Sequence, residues 1–191
     1  HIWDMPTRWW AAFTHVSPDG KRMCIPLTPP QVMLPDLGSQ REQMDTIPHA
    51  FRVTGRRCRM YEIDLETGAE RILAELPFWV THVQYNPHNS EQLIFNCEGC
   101  WNVDLPRIWC LHGPDNFAPI DNNREEARTH ENWVPNGEFI VYHGNRQGVP
   151  FFAGRRFDGS EVFHQPMPDF NHGHITPTVE GHGFLSDGVD A

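Results

Sequence analysis

The sequence predicts an all-β fold, a β-propeller of four-stranded antiparallel blades, from three observations. A segment with a histidine, a turn and an apolar run recurs four times. Its histidines are His15, His82, His130 and His174, so the steps are 67, 48 and 44 residues. Between these repeats lie hairpin-like segments, and helical periodicity is almost absent. Repeats of roughly 40 to 50 residues that contain several short strands are typical of β-propellers.

Each repeat reads as a strand, a turn and a second strand. The four copies span residues 14–25, 81–95, 129–142 and 174–185. Pro-Asx-Gly or a related turn separates the two strands in most of them. In a propeller the first strand of each blade lines the central channel, so residues at equivalent places in successive repeats form a ring. The four histidines are therefore expected to converge on one end of the channel.

The segments between the repeats supply the outer strands. Residues 59–65 alternate, a Glu-Thr-Gly turn follows, and residues 69–76 return, which predicts a hairpin. Residues 107–111 and 151–159 have the same place in later repeats. Residues 26–50 are rich in proline and polar residues and predict a long loop, standing in part for a degenerate first-blade hairpin. We expect one domain over residues 1–191, with about four blades.

Composition narrows the classes of function. A formal charge of −10 argues against a nucleic-acid partner. No stretch has the roughly 18 consecutive apolar residues of a membrane helix, and no secretory signal opens the chain, so the expected location is the cytoplasm. The chain has one lysine, Lys21, and fourteen arginines. Because arginine binds carboxylates better than lysine does, the sequence is compatible with an acidic small ligand. The five cysteines are expected to be free thiols.

The twelve histidines suggest a metal-binding or catalytic site, because imidazole is both the commonest metal ligand and a base of near-neutral pKa. In an extended segment His172 and His174 point to the same side. With His130 they would form a three-histidine site, and Asp169 could add an oxygen ligand. The opposing interpretation is that the His-x-His pair decorates the surface and that the Thr-His repeats make structural hydrogen bonds.

Several segments together resemble a known family. They are "RCRMYEIDLETGAERIL", "WVTHVQYNPHNSEQLIFNCEG", "VDLPRIW", "THENWVPNGEFIVY" and "NHGHI". They occur in the order found in oligogalacturonate lyases, the seven-bladed propeller family of pectin-degrading lyases. The resemblance covers about residues 52–190, and the Thr-His-Glu-x-Trp segment is one of its more specific parts.

The resemblance implies β-elimination on short oligogalacturonides, assisted by Mn²⁺ or another divalent cation. His82 would be the base that removes the proton α to the substrate carboxylate. Arg57 would assist on that carboxylate, with Arg59 as the second choice. The implied metal ligands are His130, His172, His174 and Asp169, and the implied substrate contacts are Arg107 and Cys97.

Three departures from the family accompany the resemblance. Cys97 stands where the family has histidine, and Asp169 stands where it has glutamine. About four blades are legible, whereas seven close the family's propeller. Either the chain is the C-terminal portion of a longer protein, or blades were lost. The alternatives to a lyase are a non-catalytic scaffold of the TolB type that binds protein or glycan, and an inactive partial copy.

Overall fold

The computed structural model describes residues 2–33, 38–170, 173–179 and 183–187. The described chain is built mainly from β-strands. They are β1 Trp10–Ala11, β2 His15–Val16, β3 Arg22–Thr28, β4 Cys58–Asp64, β5 Glu70–Leu76, β6 Val83–Asn86, β7 Asn89–Asn96, β8 Ile108–Gly113, β9 Asn116–Pro119, β10 Glu126–Trp133, β11 Ile140–Arg146, β12 Val149–Arg155, β13 Glu161–Pro166, β14 Ile175–Pro177 and β15 Phe184–Ser186. One helix, α1 Gln40–Thr54, lies between β3 and β4.

The strands form consecutive antiparallel sheets in chain order. In the first, β1 and β2 both pair with β3, which continues to β4 and β5. The second has the order β6-β7-β8-β9, the third β10-β11-β12-β13, and β14 pairs with β15. These are three propeller blades and the opening hairpin of a fourth. The predicted all-β propeller of about four blades is confirmed, as is the hairpin of β4 and β5.

The core lies between neighbouring blades. The largest cluster joins the first blade to the second, with Met60 and Leu76 on one side and Tyr85 and Phe95 on the other. A second cluster joins the second and third blades around Tyr142. All five cysteines are buried free thiols, as expected. Burial of these apolar side chains is the main force that holds successive sheets together.

The prediction of a long loop over residues 26–50 is wrong. The strand β3 continues to Thr28, and α1 begins at Gln40 and runs through the end of this range. The helix begins with a capping box: Ser39 accepts from the backbone N–H of Glu42, whose carboxylate accepts from the N–H of Ser39. It ends at Gly55, which adopts a φ of 64° that glycine tolerates without strain.

Pro48 lies inside this helix and obscured it in the sequence. Proline has no N–H, so the carbonyl of Met44 lacks its helical donor. The side chain of Asn102 supplies one instead, with Nδ2 at 2.8 Å from that carbonyl oxygen. The contact is close: a Cβ on Gly99 would lie 2.6 Å from Pro48 Cγ. The helix is thus fastened to the 3₁₀ turn Cys100–Asn102 of the second blade.

In the described ranges, no helix has the length and apolar character needed to cross a membrane.

Candidate active site

Three of the repeated histidines converge at the entrance to the inner strands. His82 immediately precedes β6, His130 lies in β10, and His174 immediately precedes β14. All three line one cavity of about 270 Å³, and the ring centroids of His130 and His174 are 4.3 Å apart. His15 does not join them, because its Nδ1 accepts the backbone N–H of Tyr85 at 3.2 Å beside a different cavity.

A β-bulge aims His130 into the cavity. The pairing of β10 with β11 shifts register between Thr129 and Asn132, and His130 has a φ of 54°. That left-handed conformation is strained for a residue with a side chain, and such strain concentrates at functional sites. The bulge allows His130 to face the cavity while the carboxylate of Glu131 turns to Arg107.

Hydrogen bonds fix the tautomer of His130. Its Nδ1 lies 3.0 Å from the carbonyl oxygen of Gly173 and 2.7 Å from Nε2 of His143. A carbonyl oxygen only accepts, so Nδ1 carries the hydrogen and Nε2 carries the lone pair. Burial, with the neighbouring His174, lowers the pKa of His130, so the ring is neutral at pH 7. Neutral imidazole is the form that binds metals.

His174 is oriented in a similar way by a carboxylate. Its Nδ1 lies 3.0 Å from Oδ2 of Asp187, and its backbone N–H donates to Oδ1 of the same residue at 2.5 Å. In the neutral ring this contact places the hydrogen on Nδ1 and the lone pair on Nε2. Metal-binding histidines commonly use their other nitrogen in this way, on a carboxylate or a backbone carbonyl.

These two histidines fit part of a metal site. His172, the third expected ligand, lies outside the described residues. Asp169 is exposed and is not among the residues that line the cavities of His130. Among the residues that the structure describes, no group of three His, Cys, Asp or Glu side chains is placed to hold a metal ion.

His82 lines the same cavity from the second blade. Phe13 stacks on its ring with centroids 4.7 Å apart and planes at 15°. Its Nδ1 faces the hydroxyl of Thr81 at 2.9 Å and the amide nitrogen of Asn96 at 3.1 Å. Burial lowers the pKa of His82, against the opposing effect of Glu131. The imidazole is neutral at pH 7 and 41% exposed, as a base must be to meet a substrate.

A buried ion-pair network supports the cavity from behind. Nε of Arg107 lies 3.0 Å from Oε2 of Glu131, and its NH1 lies 3.3 Å from Oε1 of Glu98. All three side chains are at most 6% exposed. Burial acts to raise the pKa of Glu98, but Arg107 and the Thr81 hydroxyl outweigh it and lower that pKa. Arg107 lines the cavity, but its guanidinium is already ion-paired with the carboxylates of Glu98 and Glu131.

The expected role of Cys97 is not supported by its position. It has no exposed surface and packs in the cluster between the first and second blades. Side chains alternate along an extended segment, so Asn96 and Glu98 turn toward His82 while Cys97 turns to the core. The period of two along "NCEG" was the signal that could have identified Glu98.

Arg57 and Arg59 lie outside the cavities that contain the histidines. NH1 of Arg57 donates to the carbonyl oxygen of Glu75 at 3.2 Å. Arg59 pairs with the Glu75 carboxylate at 2.7 Å and lies over the ring of Trp9. Both arginines nevertheless lie at the same end of the first sheet as β1. Leu27 of β3 pairs with Ala11 of β1 on one side and with Arg59 of β4 on the other.

A larger cavity of about 890 Å³ adjoins the histidines and reaches helix α1. Arg41, Trp101, His130 and His174 are among its lining residues. His143 is buried beside His130. Its closeness could be found only from the register that pairs it with Thr129.

The fold and site define a propeller with histidines gathered at one end of its inner strands. A family model described as oligogalacturonate lyase matches residues 42–157, well over half of the chain. The chain belongs to the oligogalacturonate lyase family.

Two curated relatives agree with this assignment. Oligogalacturonate lyase of Dickeya dadantii is 31% identical over 94 residues, which are 48% of this chain and 24% of the relative. Oligogalacturonide lyase of Pectobacterium atrosepticum is 35% identical over 95 residues, with the same two coverages of 48% and 24%. The matched segment is thus about a quarter of each relative.

Solved structures show the same fold. An oligogalacturonate lyase in complex with manganese matches 99% of this chain and 50% of its own, with a TM-score of 0.81 and 21% identity. An oligogalacturonate lyase from Vibrio parahaemolyticus matches with a TM-score of 0.83 and 23% identity, covering 100% and 50%. TolB from Acinetobacter baumannii has a TM-score of 0.57 and 14% identity over 95% of this chain and 38% of its own. The chain spans about half the length of the solved lyases.

The buried network predicts a large cost for removing Arg107. Replacing it (Arg107→Met) leaves Glu98 and Glu131 buried without a cation, which should lower the free energy of unfolding at pH 7 by about 3–5 kcal/mol. Urea unfolding measures this cost. The matched control is Arg124→Met, because Arg124 and Asp104 form an exposed pair, 49% and 81% accessible, worth about 0–1 kcal/mol.

The cost should also depend on pH. The pKa of Glu98 is lowered in the folded protein, so the stability it contributes is present above its unfolded pKa of about 4.3 and is lost as the pH falls through the folded value. The difference between wild type and Arg107→Met should therefore shrink as the pH falls below about 4. A difference no larger than that of the control, or one that is independent of pH, would contradict the account.

Proposed function

We propose that the protein is a metal-assisted lyase that cleaves short oligogalacturonides by β-elimination and leaves an unsaturated uronate. The observation that carries the proposal is the single cavity lined by His82, His130 and His174, in a chain of the oligogalacturonate lyase family. The elimination breaks the C–H bond α to the uronate carboxylate and the C–O bond β to it. A carbon–carbon double bond forms, and the leaving sugar oxygen gains a proton.

His82 is the proposed base. The proton α to an ionised carboxylate is weakly acidic, because its loss adds negative charge next to negative charge. A neutral, partly exposed imidazole at the cavity wall can take that proton at pH 7. The stacked ring of Phe13 covers one face of the imidazole and limits its rotation.

His130 and His174 are the proposed metal ligands, together with His172. The support is their adjacent rings, and the contacts of Nδ1 with Gly173 and Asp187, which leave Nε2 as the nitrogen with the lone pair in each neutral ring. A manganese complex is known for a solved oligogalacturonate lyase of the same fold. When bound, a divalent cation supplies positive charge that stabilises the developing enolate. Asp169 is exposed on the segment before these ligands, and its role as a fourth ligand stays a prediction.

Arg57 is proposed to bind the substrate carboxylate. Its guanidinium is exposed and is held by a carbonyl oxygen, whereas Arg59 is ion-paired and Arg107 is enclosed by carboxylates. Two strand spacings, about 10 Å, separate β4 from β1, whose Trp10 lines a second cavity beside His82, of about 360 Å³. In an assay of both alanine variants, Arg57→Ala should lose more activity than Arg59→Ala. An equal or opposite order would contradict the assignment.

Removal of the base tests the reaction. His82→Ala should lower the rate of product formation from digalacturonate by about 10²-fold or more, because general-base catalysis is lost. The measurement is the absorbance of the unsaturated uronate, in the intact protein with Mn²⁺ and with a chelator. His112→Ala is the matched control, since His112 is exposed on β8 against Phe157. A wild-type trace without any rise, in folded protein, would favour the scaffold or the inactive copy.

Removal of a ligand tests the metal site separately. His130→Ala and His174→Ala should each weaken Mn²⁺ binding by about 10-fold or more, because each removes a nitrogen ligand. His82→Ala should leave the affinity unchanged. Titration calorimetry of metal-free protein measures all three. Affinity that is insensitive to both ligand variants would show that manganese binds elsewhere.

A further inference from the structure

Side chains behind His82 form a hydrogen-bonded chain that leads away from the cavity. Nδ1 of His82 lies 2.9 Å from the Thr81 hydroxyl, and that hydroxyl lies 2.8 Å from Oε2 of Glu98. Asn96 lies beside the chain, with Nδ2 at 2.9 Å from both oxygens and 3.1 Å from Nδ1 of His82. Thr81, Asn96 and Glu98 are all buried.

The amide of Asn96 can be oriented from its other side. Its Oδ1 accepts the backbone N–H groups of Thr81 and His82, both at 2.9 Å. Because a nitrogen could not accept these two bonds, Nδ2 is the end that faces Thr81 and Glu98. Its two hydrogens then have two oxygen acceptors at 2.9 Å, one of them a carboxylate.

The hydroxyl hydrogen of Thr81 can also be placed. The Glu98 carboxylate, at 2.8 Å, is a charged acceptor and makes the stronger bond. The Thr81 oxygen therefore presents a lone pair, not a hydrogen, to the ring of His82. A short contact with a lone pair requires that Nδ1 be the donor.

We infer that Thr81 and Glu98 are positioning residues that hold His82 in the tautomer protonated on Nδ1, which leaves the lone pair on Nε2. The role of that lone pair in taking the substrate proton rests on the proposed function, whereas the tautomer rests only on the hydrogen bonds described above. Isolated histidine has no such enforced choice, so the arrangement increases the share of His82 rings that can act as a base through Nε2.

The same chain stabilises the product of proton transfer. After Nε2 gains a proton, the ring is a cation whose Nδ1–H still donates to Thr81. The carboxylate of Glu98, with an oxygen 3.9 Å from Nδ1, then faces a positive charge. No proton moves along the chain, and Glu98 stays ionised because Arg107 is paired with it.

The tautomer is measured directly by NMR. Protein labelled with ¹⁵N-histidine and treated with chelator gives long-range ¹H–¹⁵N correlations that distinguish the protonated ring nitrogen from the bare one. The signals of His82 are those that vanish in His82→Gln. At a pH where the ring is neutral, we expect Nδ1 to be the protonated nitrogen. A wild-type ring protonated on Nε2 would overturn the inference, whatever the variants do.

Variants of Thr81 test the cause. Thr81→Val removes the acceptor and should shift His82 toward the Nε2-protonated form, lowering kcat roughly tenfold with little change in KM. Thr81→Ser should restore both the tautomer and kcat. Thr129→Val is the matched control for the tautomer, because Thr129 precedes His130 in the same Thr-His pattern and should leave the signals of His82 unchanged.

The outcomes separate this inference from the proposed function. An unchanged His82 tautomer in folded Thr81→Val would overturn the positioning role of Thr81. A tautomer that switches in that variant, in a protein that makes no unsaturated product, would support the inference while the lyase proposal fails.

Discussion

The ion-paired guanidinium of Arg107 is the interaction on which the site depends. It joins Glu98, two residues after the end of β7 in the second blade, to Glu131, in the inner strand of the third. Buried ion pairs of this kind bring little net stability compared with apolar side chains of the same volume, but they are costly to break. Their effect here is positional. They hold one end of the second blade against the third, and the histidine cavity lies across that junction.

One dipeptide has different surroundings in two blades. In Thr81-His82 the threonine hydroxyl is hydrogen-bonded to Nδ1 of the histidine, and the imidazole ring stacks on Phe13. At Thr129-His130 the β-bulge and the positive φ turn the ring instead to Gly173 and His174. The repeat therefore predicts where a histidine enters the inner strand. The local backbone decides which groups the ring of that histidine then faces.

The sequence predicted those elements whose pattern lies within one short segment of the chain. The hairpin of β4 and β5 was legible because alternation and the Gly68 turn lie within one short segment. The helix α1 was missed because Pro48 interrupts its pattern, and the compensating donor, Asn102, is remote in sequence. The capping box of Ser39 and Glu42 is a local signal that marks the start of this helix.

The site followed the same rule. The entry positions of His82, His130 and His174 came from the repeat, because a propeller converts sequence period into spatial closeness. The expectation for Cys97 comes from the resemblance, whereas the alternation of side chains along residues 96–98 puts Glu98, and not Cys97, on the side of His82. The bond between His143 and His130 needed the register of β10 on β11, which the sequence alone did not determine.

On the proposed function, charge gives the metal a role before any bond is broken. The chain carries a formal charge of −10, and in the buried network two carboxylates face the single guanidinium of Arg107. Asp187 adds another carboxylate behind His174, and the histidines are neutral at pH 7 when their pKa is lowered, as it is for His82 and His130. The charged side chains that line the cavity, Arg107 and Glu131, balance each other, so an ionised uronate would meet no net positive charge from them. A divalent cation on His130 and His174 would supply that charge where the substrate carboxylate is proposed to lie. Metal removal should therefore weaken substrate binding as well as slow the elimination, so the metal dependence of KM carries as much information as that of kcat.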